Sequence, residues 1–202
     1  MTMVRGQNFN HPVAGSSVFV EPIRDPAKIA EIKALLRSSP RNLALFTLGI
    51  NTNLRVSDIL NIRVGQVRGL AEGAHLTLTE KKTGKKRRIT MNSACIEALR
   101  PWLRQLPLAE DRHFLFVNLM TGRPLSVPSV CNLVKDWCRA VGLEGNYSSH
   151  TLRKTWGYHQ YHTFGVQLPH LMWCFNHSSQ RQTLDYLGIQ PDDIDRVYSN
   201  VI

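Results

Sequence analysis

A mostly helical α+β domain with one small antiparallel sheet is the fold class this sequence predicts. Three observations carry it. Apolar residues recur at helical spacing through most segments between residues 25 and 187, alternation is confined to one pair of short segments, and no internal repeat is visible. A chain of 202 residues with 43% hydrophobic and 20% charged content suffices for one globular domain with a substantial core.

The elements follow in order. Residues 1–21 mix polar, Gly and Pro residues without periodicity and read as a flexible arm. Asp25-Pro26 supplies an N-cap and a proline at the first helical position, and Ile29, Ile32, Leu35 and Leu36 continue that helix to about Ser38. A second helix spans about Arg41 to Ile50, with Leu43, Phe46 and Ile50 on one face. The run 51–55 breaks it, and Ser57 is expected to cap a short helix bearing Asp58, Ile59, Leu60 and Ile62. His75–Thr79 alternates, Lys81–Lys86 supplies a turn around Gly84, and Arg87–Met91 returns, which predicts a β-hairpin. Asn92 and Ser93 then cap a helix through Cys95, Ile96, Leu99, Trp102, Leu103 and Leu106, which Pro101 should kink or shorten. Phe114–Val117 reads as a short buried strand and 121–124 as a turn. Ser126 precedes a helix carrying Val130, Leu133, Val134, Trp137 and Val141, ended by Gly142 and Gly145. Three further helices follow, from His150 to about Thr163, from Gln167 to Phe175 and from Ser178 onward, with a terminal one over Pro191–Asn200.

Charge narrows the partner. Twenty-five Lys+Arg against fifteen Asp+Glu give a net charge of +10, so a polyanion is the natural ligand. Six of the eight residues Lys81–Arg88 are basic: Lys81, Lys82, Lys85, Lys86, Arg87 and Arg88. The four cysteines (Cys95, Cys131, Cys138, Cys174) form no Cys-x-x-Cys pair and read as small core residues in a reducing compartment. No apolar run approaches the roughly 18 residues of a membrane helix, and the N-terminus lacks the apolar core of a signal peptide. A cytoplasmic, nucleoid-associated protein is expected, with neither metal nor cofactor.

Chemistry concentrates towards the C-terminus. His150-Thr-Leu-Arg153 places a histidine and an arginine on one side of a helix turn. Asn176-His177-Ser178-Ser179 follows, and Tyr186 stands nine residues beyond His177. Tyrosine is a poor nucleophile at its ordinary pKa of about 10, and surrounding cations are expected to favour its phenolate. Arg55, in Leu54-Arg55-Val-Ser-Asp58, and Lys82, before Thr83-Gly84, complete an ordered set: Arg55, Lys82, His150, Arg153, His177, Tyr186. Singly, each has an ordinary explanation as a surface, cap or packing residue. Jointly and in this order they point to metal-free chemistry on a phosphodiester.

This set resembles the tyrosine recombinase (phage integrase) family over roughly residues 25–190. The resemblance implies that family's catalytic-domain fold over 22–202, without a separate core-binding domain. Arg55 and Arg153 would clamp the non-bridging oxygens of a scissile phosphate, and Tyr186 would attack phosphorus to form a 3′-phosphotyrosyl link. Lys82 would protonate the departing 5′-oxygen, with Lys81, Lys85 and Lys86 as competitors for that role. His150 would assist proton transfer at the tyrosine, and His177 would donate a hydrogen bond to the phosphate. Asp58 would orient Arg55 or a neighbouring turn, while Lys81, Lys85, Lys86, Arg87 and Arg88 would contact DNA. Phe175-Asn176 stands where Leu-Gly is commoner in the family. The implied activity is site-specific recombination of double-stranded DNA by a homotetramer, monomeric or weakly associated when free, with an accessory DNA-binding protein to supply missing grip. A relaxing enzyme of the type IB topoisomerase sort and a DNA-binding regulator that no longer recombines are the other readings of the same residues.

Overall fold

The computed structural model describes residues 19–188 together with 198, 199 and 201. Residues 1–18 of the expected arm, and the expected terminal helix apart from Tyr198 and Ser199, lie outside the described residues. The elements are α1 (Pro26–Leu35), α2 (Pro40–Asn51), α3 (Val56–Ile59), β1 (His75–Thr79), β2 (Lys86–Thr90), α4 (Ser93–Arg104), α5 (Val127–Ala140), α6 (Ser149–His162), α7 (Leu168–Phe175) and α8 (Gln180–Leu187), with a 3₁₀ turn over Leu36–Ser38. No helix among them is long and apolar enough to cross a membrane.

Local chemistry sets most of the helix starts. Asp25 accepts from Ala27 N at 2.7 Å, Asn92 from Cys95 N at 3.0 Å, Ser126 from Ser129 N at 3.2 Å and Ser179 from Gln182 N at 3.2 Å. Ser148 and Thr151 form a reciprocal capping box that opens α6. The strands pair antiparallel with His75 opposite Thr90 and Thr79 opposite Lys86, burying Leu76 and Leu78 beneath the hairpin.

Two local expectations are corrected. The cap of α3 is Arg55, and Ser57 lies inside the helix. Phe114–Val117 forms only isolated bridges, Arg63 to Phe114 and Val117 to Pro124. Leu115 and Phe116 are nonetheless fully buried, and Trp102 Nε1 donates to Leu115 O at 2.9 Å, so a side chain supplies the backbone partner that a neighbouring strand would have given. Of the helix expected through Leu106, α4 spans Ser93–Arg104 with Pro101 inside it, two residues short of Leu106. The missing N–H leaves the carbonyl of Glu97, which sits on the exposed side of the helix.

The apolar interior divides in two. A large cluster gathers α1 to α5, the hairpin and the front of α6, including Phe46, Trp102, Phe116, Val134 and Leu152. A small second cluster, Leu171, Phe175 and Leu187 with Trp156 and Tyr186 packed on it, joins the rear of α6 to α7 and α8. Helix α6 belongs to both, and its glycine makes the second junction possible. A Cβ at Gly157 would stand 2.5 Å from Phe175 Cζ and 3.0 Å from Leu187 Cδ2.

Gly157→Ala tests that junction. Alanine gains about 1 kcal/mol of helix preference, but the forced displacement of Phe175 costs about 1–3 kcal/mol. A lower urea midpoint is expected, and an unchanged or higher midpoint would show that α7 and α8 do not sit this close to α6.

Candidate functional site

The C-terminal end of α7 organises the site. Asn176 adopts left-handed geometry at φ 56°, the conformation that glycine or asparagine tolerates best, and this explains the substitution of Asn for Gly before His177. The turn closes with Asn176 N donating to Trp173 O and His177 N to Met172 O. Two carbonyls are left over, and both are taken by groups from distant segments. Cys174 O accepts from Asn53 Nδ2 at 2.7 Å and Arg87 Nη1 at 2.9 Å, and Phe175 O accepts from Arg153 Nη2 at 3.1 Å.

Four of the expected residues line one cavity of about 250 Å³: Arg55, Lys82, His150 and Arg153. Arg153 is only 3% exposed, and its Nε and Nη1 are buried with no hydrogen-bond partner among the described residues. Arg55 Nη1 lies 3.1 Å from Glu80 Oε2 and 3.9 Å from Asp58 Oδ2, but off hydrogen-bond alignment, so it too keeps an unused donor. His177 and Tyr186 stand together, and neither is among the residues that line this cavity. The His177 ring stacks on Phe175 at 5.0 Å and meets Tyr186 edge-on at 5.4 Å, while its Nδ1 lies 3.0 Å from Thr183 Oγ1. Tyr186 also feels the charges of Arg153 and Arg55 within its own chain.

Electrostatics modify the expectation for the tyrosine. Burial pushes the Tyr186 phenol up, and Arg153 and Arg55 pull it back only in part, so it rests protonated. Burial lowers Arg153 to about 10, against the pull of Tyr186 and with the help of Arg55 and Arg87; it stays cationic at neutral pH. Burial first, then Arg153 and Arg55, brings His177 down to about 4. Loss of water, then Arg153, Arg55, Lys154 and Lys82, lowers His150 as well. Both imidazoles are therefore neutral near pH 7.

Several residues escaped the sequence. Glu80 is 2% exposed, with Oε1 3.0 Å from Arg87 Nη1, and Oε2 taking the Thr83 hydroxyl at 2.7 Å and the Arg55 charge. Burial pushes its carboxyl up, but Thr83, Arg55 and Arg87 outweigh that and hold it below its ordinary value of 4.5. The available signal was the alternation of β1, in which Leu76 and Leu78 point inward and position 80 is next in step. Lys154 is buried between aromatic faces, 3.9 Å above Phe19 and 5.3 Å from the Tyr186 ring. Asp58 accepts from Lys81 N at 2.8 Å, which ties the start of the basic turn to α3.

The basic hairpin faces a second, larger groove of about 600 Å³, lined by Lys85, Lys86, Arg88, Trp173 and His177. Lys85 Nζ reaches Asn176 Oδ1 at 2.9 Å. Arg87 differs from its neighbours in the run, because its guanidinium is spent internally on Glu80 and Cys174 O. Among the other tyrosines, Tyr147 is buried and Tyr158 packs on His159 and His162. His159 Nε2 lies 3.0 Å from Ile23 O.

With this geometry in view, known proteins show the same plan. A model of the phage integrase family matches residues 26–192. The chain is 36% identical over 180 residues to the probable integrase/recombinase YoeC of Bacillus subtilis (strain 168), covering 89% of this chain and 95% of that protein. The crystal structure of XerA recombinase superposes with a TM-score of 0.74 at 18% identity, over 91% of this chain and 66% of that one. XerH site-specific recombinase bound to palindromic difH substrate, a post-cleavage complex, gives a TM-score of 0.72 at 21% identity, over 89% of this chain and 52% of that one. The chain thus spans nearly all of YoeC and about half of XerH. It belongs to the phage integrase, or tyrosine recombinase, family, and the catalytic domain of that family covers most of its length.

Proposed function

We propose that this protein is a site-specific DNA recombinase that cuts and rejoins strands through a 3′-phosphotyrosyl intermediate. The observation that carries this is Arg153, whose buried Nε and Nη1 have no hydrogen-bond partner among the described residues and which lines one cavity with Arg55, Lys82 and His150. A buried donor without an acceptor is costly, about 1–3 kcal/mol, unless a ligand completes it. A phosphate with two non-bridging oxygens does so, and a guanidinium suits that geometry.

The chemistry then divides among the side chains. The Tyr186 oxygen bonds to phosphorus and the bond from phosphorus to the 5′-oxygen breaks. The phenol, held protonated by burial, gives its proton to neutral His150 as it attacks. Lys82, in the same cavity, returns a proton to the 5′-oxygen. Arg55 and Arg153 hold the added charge of the five-coordinate phosphorus more tightly than that of the ground state. Neutral His177 presents an Nε2–H to a phosphate oxygen in the tautomer in which the Thr183 hydroxyl turns from Ser179 O, 3.4 Å away, to donate to Nδ1 at 3.0 Å. Lys81, Lys85, Lys86 and Arg88 bind backbone phosphates on either side, and Arg87 holds the hairpin against α7. Because the phosphodiester energy is kept in the tyrosyl bond, another strand's 5′-hydroxyl can reverse the step without a cofactor or metal. Double-stranded DNA is the substrate, a homotetramer on DNA is the working assembly, and an accessory protein adds grip.

A nicked suicide duplex bearing repeats from beside its own gene tests this. A covalent protein–DNA band is expected with wild type, in EDTA, and none with Tyr186→Phe; a band in that variant would mean the nucleophile is another residue. Transfer of the bound strand to a second duplex separates recombination from simple relaxation. Single-turnover cleavage is expected to hold from pH 8 down to the ordinary imidazole value of 6.5 and decline only below it, as His150 gains a proton; a decline beginning above pH 7 would remove His150 as the base. Affinity for duplex should fall steeply with salt, and a flat response would contradict phosphate-led binding.

A further inference from the structure

One buried carboxylate joins the parts of the site that come from different segments of the chain. Glu80 follows β1 at an inward position, in step with Leu76 and Leu78, where an apolar side chain would satisfy the sheet. Both of its oxygens are occupied. Oε2 faces Arg55 Nη1 at 3.1 Å and takes the Thr83 hydroxyl at 2.7 Å, and Oε1 faces Arg87 Nη1 at 3.0 Å. The same Arg87 nitrogen donates to Cys174 O at 2.9 Å, at the end of the helix whose closing turn delivers His177. The entry to α3 with Arg55 and the hairpin with Lys82 therefore meet at Glu80, and Arg87 carries the link on to the end of α7.

We infer that Glu80 is a positioning residue of the cleavage step, fixing the Arg55 guanidinium and docking the Lys82-bearing hairpin against the end of α7. Burying a carboxylate costs several kcal/mol unless it is paired, and here the pairing partners are a proposed phosphate ligand and the latch of the hairpin. The pull on Arg55 is one-sided. The buried carboxylates of Glu80 and Asp58 both approach the same nitrogen, Arg55 Nη1, and Arg55 lines a cavity with Lys82, His150 and Arg153. Thr83 ties the turn itself to the same carboxylate, so the lysine preceding it moves with Glu80. The inference rests on the assignment of Arg55 and Lys82 made above.

Charge supplies a test that a purely structural role would not pass. Removing the carboxylate leaves Arg55, Arg87 and Arg153 in place and makes the site more positive. Glu80→Gln, which keeps one acceptor oxygen, is therefore expected to bind duplex at low salt at least as tightly as wild type. Its single-turnover cleavage should nevertheless fall roughly 10- to 100-fold, the cost of displaced reacting groups. Cleavage at the wild-type rate would overturn the role, and so would affinity and rate falling together with the thermal midpoint, which is the pattern of a damaged fold. Should Glu80→Gln fail to fold, Thr83→Ala decides, since Thr83 is exposed and contributes one hydrogen bond to Oε2. Slower cleavage with unchanged affinity supports the positioning role, and a wild-type rate overturns it. Absence of any covalent band in wild type is a different failure, because it removes the recombinase assignment and this role with it.

Discussion

The site depends on how one short helix ends. Every α-helix leaves terminal carbonyls without partners, and the left-handed turn at Asn176 satisfies only two of those at the end of α7. The carbonyls of Cys174 and Phe175 stay open, and two guanidiniums from other parts of the chain occupy them. The helix dipole adds to the attraction at this end. A cation-rich cluster can therefore be buried without an excess of carboxylates. It also explains the placement of His177, which follows directly from the turn that these cations stabilise.

Burial and charge oppose each other throughout the cluster. Arg153 loses part of its basicity yet stays charged, whereas both histidines lose their protons at neutral pH. For Tyr186 the loss of water outweighs two nearby guanidiniums. A phenol that rests protonated in a cation-rich site needs a base at the moment of attack, and a neutral imidazole close by can serve. The same balance works in reverse for Glu80, whose partners overcome the penalty of burial.

The division of the interior into two clusters gives these effects a location. Arg153 sits on α6 between Leu152, which packs in the large cluster, and Gly157, which admits Phe175 from the small one. The tyrosine and the second histidine ride on the small cluster, while Arg55 and the hairpin belong to the large one. Cleavage chemistry thus spans a seam, and the contacts that cross it (Asn53 and Arg87 to Cys174, Lys85 to Asn176, Arg153 to Phe175) set the relative placement of the two halves.

Much of this was legible beforehand. Period and capping residues located most of the helix starts within a residue or two, α3 with its Arg55 cap excepted, because a cap is a contact between near neighbours in sequence. Alternation located the hairpin for the same reason. Residue types in order pointed to six side chains; the tertiary structure sets Arg55, Lys82, His150 and Arg153 around one cavity and His177 against Tyr186. What the sequence could not supply were contacts made across the chain: Trp102 holding Leu115 where a strand was expected, Arg87 turned inward out of a basic run, Glu80 buried between two arginines. Nor could it weigh burial against charge at Tyr186, since the water excluded from a phenol depends on Phe175 and Lys154 arriving from other helices. Local physics wrote the elements and the inventory of reactive groups. Only packing decided which of those groups are dry, which are paired and which still have a hydrogen-bond donor to offer.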